Sequence, residues 1–120
     1  MIQRQTFNIL TDTGGDYTDT GGPVFGTVEQ IRFAGGNVDT GCDVRLEFIA
    51  SGVVVADYDN SGGGTWTRAP TIIPYDTGGA AVSGIATFPM TDHDRMRVTV
   101  NQSDGVTGSK TATLHVWLRS

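Results

Sequence analysis

Paired and tripled glycines cut this chain into pieces too short for anything but strands. They stand at Gly14-Gly15, Gly21-Gly22, Gly35-Gly36, Gly62-Gly63-Gly64 and Gly78-Gly79, within a total of seventeen glycines in 120 residues. Glycine takes positive φ without steric cost and so punctuates a chain into short elements. The intervening segments are rich in Val, Ile, Thr, Phe and Trp. No window of about twelve residues keeps an apolar period of roughly 3.6 free of Gly or Pro, so the chain reads as all-β.

Met1 to Leu10 reads as a first strand, a possible N-terminal arm or edge strand, with Phe7 and Ile9 on one face. The Gly-rich run 11 to 23 reads as one connection, ordered only on assembly. Val24 to Phe33 follows, where Val28 and then Ile31 and Phe33 break strict alternation near Glu29-Gln30, which calls for a bulge. In the third strand Cys42, Val44, Leu46, Phe48 and Ala50 alternate with Asp43, Arg45, Glu47 and Ile49, so Cys42 falls on the apolar face. Further strands are expected over Val53 to Tyr58, Thr65 to Ala69, Gly84 to Met90, Met96 to Asn101 and Lys110 to Arg119. Pro70 and Pro74 confine Thr71-Ile72-Ile73 to a sheet edge or an extended loop. About eight strands at this spacing predict one domain over 1–120, a single antiparallel β-sandwich of jelly-roll or immunoglobulin-like kind.

One domain of this length holds a core without covalent staples, and a single cysteine allows no intrachain disulfide. The first residues lack the apolar core of a signal peptide, and no apolar run approaches the ~20 residues of a membrane helix, so synthesis in a cytoplasm and no membrane partner are expected. A net charge of −5 with one lysine, Lys110, argues against a nucleic-acid partner.

The tripeptide Asp-Thr-Gly occurs four times, at 12–14, 19–21, 39–41 and 76–78. In an aspartic protease it carries one of two carboxylates that share a proton, and a homodimer could supply the pair. Only Asp12 has an apolar lead-in, Asn8-Ile9-Leu10-Thr11, and no apolar-apolar-Gly element followed by a helix lies downstream. The repetition in Gly-rich connections points instead to turns in which Asp and Thr accept amide hydrogen bonds.

Other motifs are equally short. Asp92-His93-Asp94 offers an imidazole between two carboxylates, but consecutive extended residues point to opposite sides, so a solvated turn before Met96 is the better reading. Asp57-Tyr58-Asp59-Asn60-Ser61-Gly62 begins like a calcium loop and fails at Ser61 and at Arg68, where a bidentate Glu belongs. Ser51, Ser83 and Ser103 lack a nucleophile-elbow context. No catalytic residue, metal ligand or cofactor site emerges. Trp66 and Trp117, with Tyr17, Tyr58 and Tyr75, suit either a carbohydrate platform or plain core packing. His115 shares the polar face of its strand with Thr113 and Trp117. Phe7, Trp66, Tyr75, His115 and Trp117 are the candidate partner or glycan contacts.

The whole pattern comprises Asp-Thr-Gly-Gly-Asp at 12–16, Gly-Pro-Val-Phe-Gly-Thr-Val-Glu-Gln-Ile-Arg-Phe at 22–33 and Asp-Val-Arg-Leu-Glu-Phe at 43–48. It continues with Arg68-Ala69-Pro70, Tyr-Asp-Thr-Gly-Gly-Ala-Ala at 75–81, and Gly-Ser-Lys-Thr-Ala-Thr-Leu-His-Val-Trp-Leu at 108–118. It resembles the small all-β virion proteins of tailed bacteriophages, among them the capsid decoration, or cement, proteins. That resemblance implies a non-enzymatic β-sandwich or jelly-roll subunit, often a homotrimer, on the capsid surface, with the major capsid protein as partner. Neck, tail or head-fibre accessory proteins and a glycan-binding β-sandwich are the alternatives.

Overall fold

The computed structural model describes residues 1–38, 41–58, 65–70, 89–101 and 109–120. Seven strands form among them: β1 (Ile2–Leu10), β2 (Tyr17–Ala34), β3 (Asp43–Phe48), β4 (Val54–Tyr58), β5 (Thr65–Arg68), β6 (Met90–Asn101) and β7 (Thr111–Arg119). Every pairing is antiparallel, in the order β1-β7-β2-β6-β3-β4, with β5 also on β2. The all-β sandwich expectation is met, and the two halves share one strand. Residues Tyr17–Thr27 of β2 pair with β6, whereas Thr27–Ala34 pair with β7 and, over Ile31–Ala34, with β5. One hydrogen-bonded sheet is thereby folded over a single core.

Alternation selects that core. Phe7 and Ile9 of β1, Val44, Leu46 and Phe48 of β3, Met96, Val98 and Val100 of β6, and Ala112, Leu114, Val116 and Leu118 of β7 join one buried cluster. Cys42 is fully buried with them, on the apolar face where alternation puts it. Strand β2 enters the same cluster twice, through Val24 and Val28 and then through Ile31 and Phe33. An even-to-odd change of this kind turns a strand inside out unless an extra residue absorbs it. The ladder to β7 slips between Val28 and Gln30, so Glu29 is the bulged residue, where the broken alternation calls for one. A second slip, between Thr20 and Pro23, inserts Gly21-Gly22 opposite Met96.

Several expectations are corrected. β2 begins at Tyr17, not Val24, because the first bulge lets the polar run Tyr17–Pro23 extend the ladder to β6. Of the run 11 to 23 only residues 11–16 form a connection. There the Asp12 carboxylate accepts the amides of Gly14 (2.8 Å) and Asp16 (3.0 Å), which is the turn chemistry expected of that tripeptide. The Asp19-Thr20-Gly21 copy lies in strand and not in a turn; its carboxylate accepts the Thr20 amide at 2.8 Å and lies 2.9 Å from the Tyr17 hydroxyl. Residues 39–40 and 76–78 of the other copies, residues 59–62 of the calcium-like loop, Thr71-Ile72-Ile73, Ser83, Ser103, Tyr75 and most of the expected strand Gly84 to Met90 lie outside the described residues. Asp92-His93-Asp94 is no turn preceding β6 but part of it.

β1 is an edge strand of the ladder and not a detached arm. Its outer side meets the first half of β2 across a seam bridged by side chains. The Tyr17 hydroxyl lies 3.2 Å from Asn8 O, and Gln5 Nε2 donates to Gly22 O at 3.4 Å. Burial, then the hydrogen bond to Asp19 and its negative charge, push the Tyr17 phenol up to about 12. A raised phenol pKa stabilises the fold below pH 10, and that contribution fades as pH rises toward 12. In an ultraviolet phenolate titration one of the three tyrosines should ionise near pH 12, and Tyr17→Phe should remove that phase.

β2 changes partners beside Gly26, whose φ is 113°. A Cβ built there would stand 2.5 Å from Arg119 O and 2.9 Å from Arg119 C, both backbone atoms of β7. Gly26→Ala combines a disfavoured φ with a backbone collision, and the conformational part alone costs about 1–3 kcal/mol. We expect the urea midpoint of Gly26→Ala to fall accordingly with little change in m, whereas Gly22→Ala, with open space around its Cβ, should stay near wild type.

Candidate functional site

The end of the sheet at which β2 switches partners also gathers exposed apolar side chains, although Leu10 is exposed at the other end of β1. A cross-strand row runs from Ile2 through Arg119 and Thr27 to Met90. Beside it, Phe25 pairs with Asp92. Met90 is 74% exposed on β6, Phe25 49% on β2 and Ile49 42% in the turn after β3. They rim a cleft of about 620 Å³ lined by Ile49–Ser51 and Met90–Arg95, which adjoins a second of about 380 Å³ lined by Phe25, Gly26 and Met90–Asp92.

A bulge shapes the cleft. Val24 pairs with Asp94 and Phe25 with Asp92, so His93 is the inserted residue on β6. Its φ is 63°, the only positive value at a non-glycine position among the described residues. A side chain held in the left-handed region needs support from its surroundings. Here that support is a ring contact with Phe25 at 5.5 Å and an ion pair in which Nδ1 faces Asp92 Oδ1. The bulge turns the Asp92–His93 pair to solvent and separates Asp94 from both.

Asp94 ties β6 to the turn after β3. Its carboxylate accepts the amides of Ala50 (2.9 Å), Ser51 (3.0 Å) and Arg95 (2.7 Å), and Ile49 N donates to Arg95 O at 3.0 Å. The Ala50 amide bond foremost, with those of Ser51 and Arg95, holds the Asp94 carboxyl below its ordinary value of 3.8 against a smaller opposing desolvation. Chemically the site combines an apolar rim, a rigid floor and one exposed imidazole–carboxylate pair. It lacks the convergent nucleophile, base and oxyanion donors of a hydrolytic centre. No group of three or more His, Cys, Asp or Glu suited to a metal occurs among the described residues.

Asp92, His93, Asp94 and Ser51 line this cleft, whereas none of the described residues offered from sequence as partner or glycan contacts does. Phe7 is 3% exposed in the core and is not a surface contact, because its position in β1 alternates inward. Trp66 is half-buried against Phe33 (5.4 Å, stacked) and Tyr58 (4.9 Å, edge-on), and the Arg68 guanidinium covers both Tyr58 and Trp66. It seals the core between β4 and β5 and offers no sugar platform. His115 and Trp117 are together, 5.7 Å apart on the outer face of β7. Phe25, Ile49 and Met90 escaped the sequence reading. Ile49 carried a signal, since alternation puts it on the polar face beside Arg45 and Glu47.

No family model matches the chain, and no curated protein does. Solved structures match the chain at low identity and with TM-scores below 0.5. PliG of Aeromonas hydrophila, a periplasmic inhibitor of g-type lysozyme, is 10% identical, with 97% of this chain and 86% of that one covered and a TM-score of 0.45. A serine protease of Aeromonas sobria is 9% identical over 99% of this chain and 27% of its own length, with a TM-score of 0.48. The virus-like particle protein of the extra small virus of the prawn Macrobrachium rosenbergii is 15% identical over 99% of this chain and 80% of its own, with a TM-score of 0.31.

The depressed Asp94 pKa makes a prediction with a definite sign. Its contribution to stability is complete above about pH 5 and is lost as pH falls below 3.8 through the lower folded value. In Asp94→Asn that part of the acid limb should vanish, so variant and wild-type urea midpoints should converge between pH 5 and 2. Amide exchange at Ala50 and Ser51 should quicken in the variant at neutral pH.

Proposed function

We propose that this chain is a non-enzymatic structural protein of a virion, which binds the outer capsid lattice and ties neighbouring major-capsid subunits together. The observation that carries this reading is the exposed apolar end formed by Phe25, Ile49 and Met90 on a rigid sheet. Contiguous apolar groups of this kind mark a protein-binding surface more often than a stray exposure does. The whole-chain resemblance to phage decoration proteins supplies the partner, the major capsid protein.

The mechanism is contact energy multiplied by copy number. Burying a Phe or Met side chain contributes about 1.5–3 kcal/mol. A homotrimer presenting three such ends converts modest contacts into an attachment that does not release, because later contacts form at high effective concentration. The bulge at His93 and the Asp94 tether keep the rim in place before docking, so little ordering cost falls due on binding.

Two measurements test the reading. Quantitative mass spectrometry of purified virions should report hundreds of copies, near parity with the major capsid protein or one trimer per few subunits. A dozen copies would move the protein to the neck or tail, and absence would overturn the proposal. Purified protein should also co-sediment with capsids that lack it. Met90→Asp should weaken that binding at least tenfold while keeping its thermal midpoint, since this side chain is largely exposed.

A further inference from the structure

The outer face of β1, β7 and the second half of β2 differs in chemistry from the rest of the surface. Two cross-strand rows lie side by side: Arg4, Trp117 and Gln30 in one, and Thr6, His115 and Arg32 in the other. His115, Trp117 and Arg32 each stand between two buried residues, Gln30 and Thr6 each adjoin one, and Arg4 has the parity of Thr6, so their side chains stand on the outside; Trp117 and His115 are half-buried and the two arginines are exposed. With strands about 4.8 Å apart and residues about 3.4 Å apart along them, the Arg4 and Arg32 Cα atoms are separated by about 12 Å, with the two rings between them.

Charge on this face is one-sided. The chain carries −5 overall, yet neither row holds an acidic residue. Glu29, the nearest acid along β2, is bound to Arg119 Nε at 2.9 Å through both carboxylate oxygens. Among the described residues Arg4 and Arg32 have no carboxylate partner. Desolvation first, and then the charges of Arg4 and Arg32, depress the His115 pKa, a sign that both guanidiniums act on the same spot. The imidazole is held in place, with Nδ1 3.0 Å from Thr6 Oγ1 and its ring 5.7 Å from that of Trp117.

The geometry points to a binding site for an acidic oligosaccharide on this face, with Arg4 and Arg32 taking its carboxylate or sulfate groups and Trp117 its sugar ring. Guanidinium groups bind such oxyanions through paired N–H donors. Gln30, Thr6 and Thr113 supply amide and hydroxyl partners for sugar hydroxyls. An extended acidic peptide fits less well. β7, which carries both rings, is hydrogen-bonded on both sides, to β1 and to β2, so strand addition cannot occur beside Trp117 and His115. This site uses none of Phe25, Ile49 and Met90 and does not depend on their assignment to the capsid partner.

Titration calorimetry on the intact chain tests the proposal with four probes: a heparin hexasaccharide, a hyaluronan hexasaccharide, neutral cellohexaose and a glutamate hexapeptide. We expect saturable binding of at least one of the two acidic sugars and none of the neutral one, with affinity reduced at least tenfold in Arg4→Gln/Arg32→Gln and in Trp117→Ala. The arginine variant leaves the buried face untouched, so it reads the site even if Trp117→Ala loosens the sheet. Absence of saturable binding by either acidic sugar overturns the proposal. So does equal binding of the glutamate peptide with no loss in Trp117→Ala, which would make the face a general cationic patch for a protein. Capsid co-sedimentation of the arginine variant should equal wild type; its loss, with no sugar bound, would make the face part of the capsid contact instead.

Discussion

The structure depends on β2 serving two ladders at once. A sheet folded over a single core needs a strand that belongs to both halves, and an unbroken strand of 18 residues cannot keep one face inward while it changes partners. The chain resolves this with inserted residues. Gly21-Gly22 and Glu29 each reset the inward parity, and Gly26 lets the backbone pass against the Arg119 carbonyl where the two ladders meet. Remove any of these adjustments and either Val24 and Val28 or Ile31 and Phe33 must face water.

The same device places the surface features. Because β6 follows β2 through its bend, it too needs an extra residue, and that residue is His93. The bulge lifts Met90 and Asp92 out of register with the buried face of β6 and opens the cleft beside the β3–β4 turn. Asp94 accepts the turn amides of Ala50 and Ser51, while His93 Nδ1 contacts Asp92. The apolar end is therefore a product of how the sheet folds over and not an addition to it. An apolar rim on so constrained a backbone arrives at its partner already shaped, which favours a stable contact over an adaptable one.

Much of this was legible in the sequence, where side-chain alternation carries the information. The inward sets of β1, β3, β6 and β7 follow from period two alone, and the bulge at Glu29 from the mismatch between Val28 and Ile31. The turn role of Asp12 was legible because an Asx turn is local chemistry. Strand pairing was not, since which ladder β2 joins is decided by contacts far apart in the chain. The polar run Tyr17–Pro23 read as loop because its strand character comes from β6 and not from its own composition. Asp92-His93-Asp94 read as a turn for the same reason: a bulge and a turn share residue preferences, and only the register of the partner tells them apart. Phe7 and Trp66 could be offered as partner contacts as well as packing groups because an aromatic ring serves equally well in a core, a seal or a platform.

The two outer halves of the sheet also separate their charges in different ways. On β3, β4 and β6, Glu47 lies 2.8 Å from Arg97 and 3.6 Å from Arg45, and Arg45 lies 3.9 Å from Asp57, so opposite charges alternate across strands and cancel locally. Cross-strand pairs of this kind each stabilise a sheet by about 0.2–1 kcal/mol. On β1, β7 and β2 no such pairing surrounds Arg4 and Arg32, and His115 and Trp117 fill the positions where carboxylates would do the same structural work. A fold that pairs Arg45 and Arg97 with carboxylates on one face and leaves Arg4 and Arg32 facing solvent on the other forgoes stabilisation there. That asymmetry is what gives the second face a ligand-binding character, while the first remains a self-contained part of the scaffold.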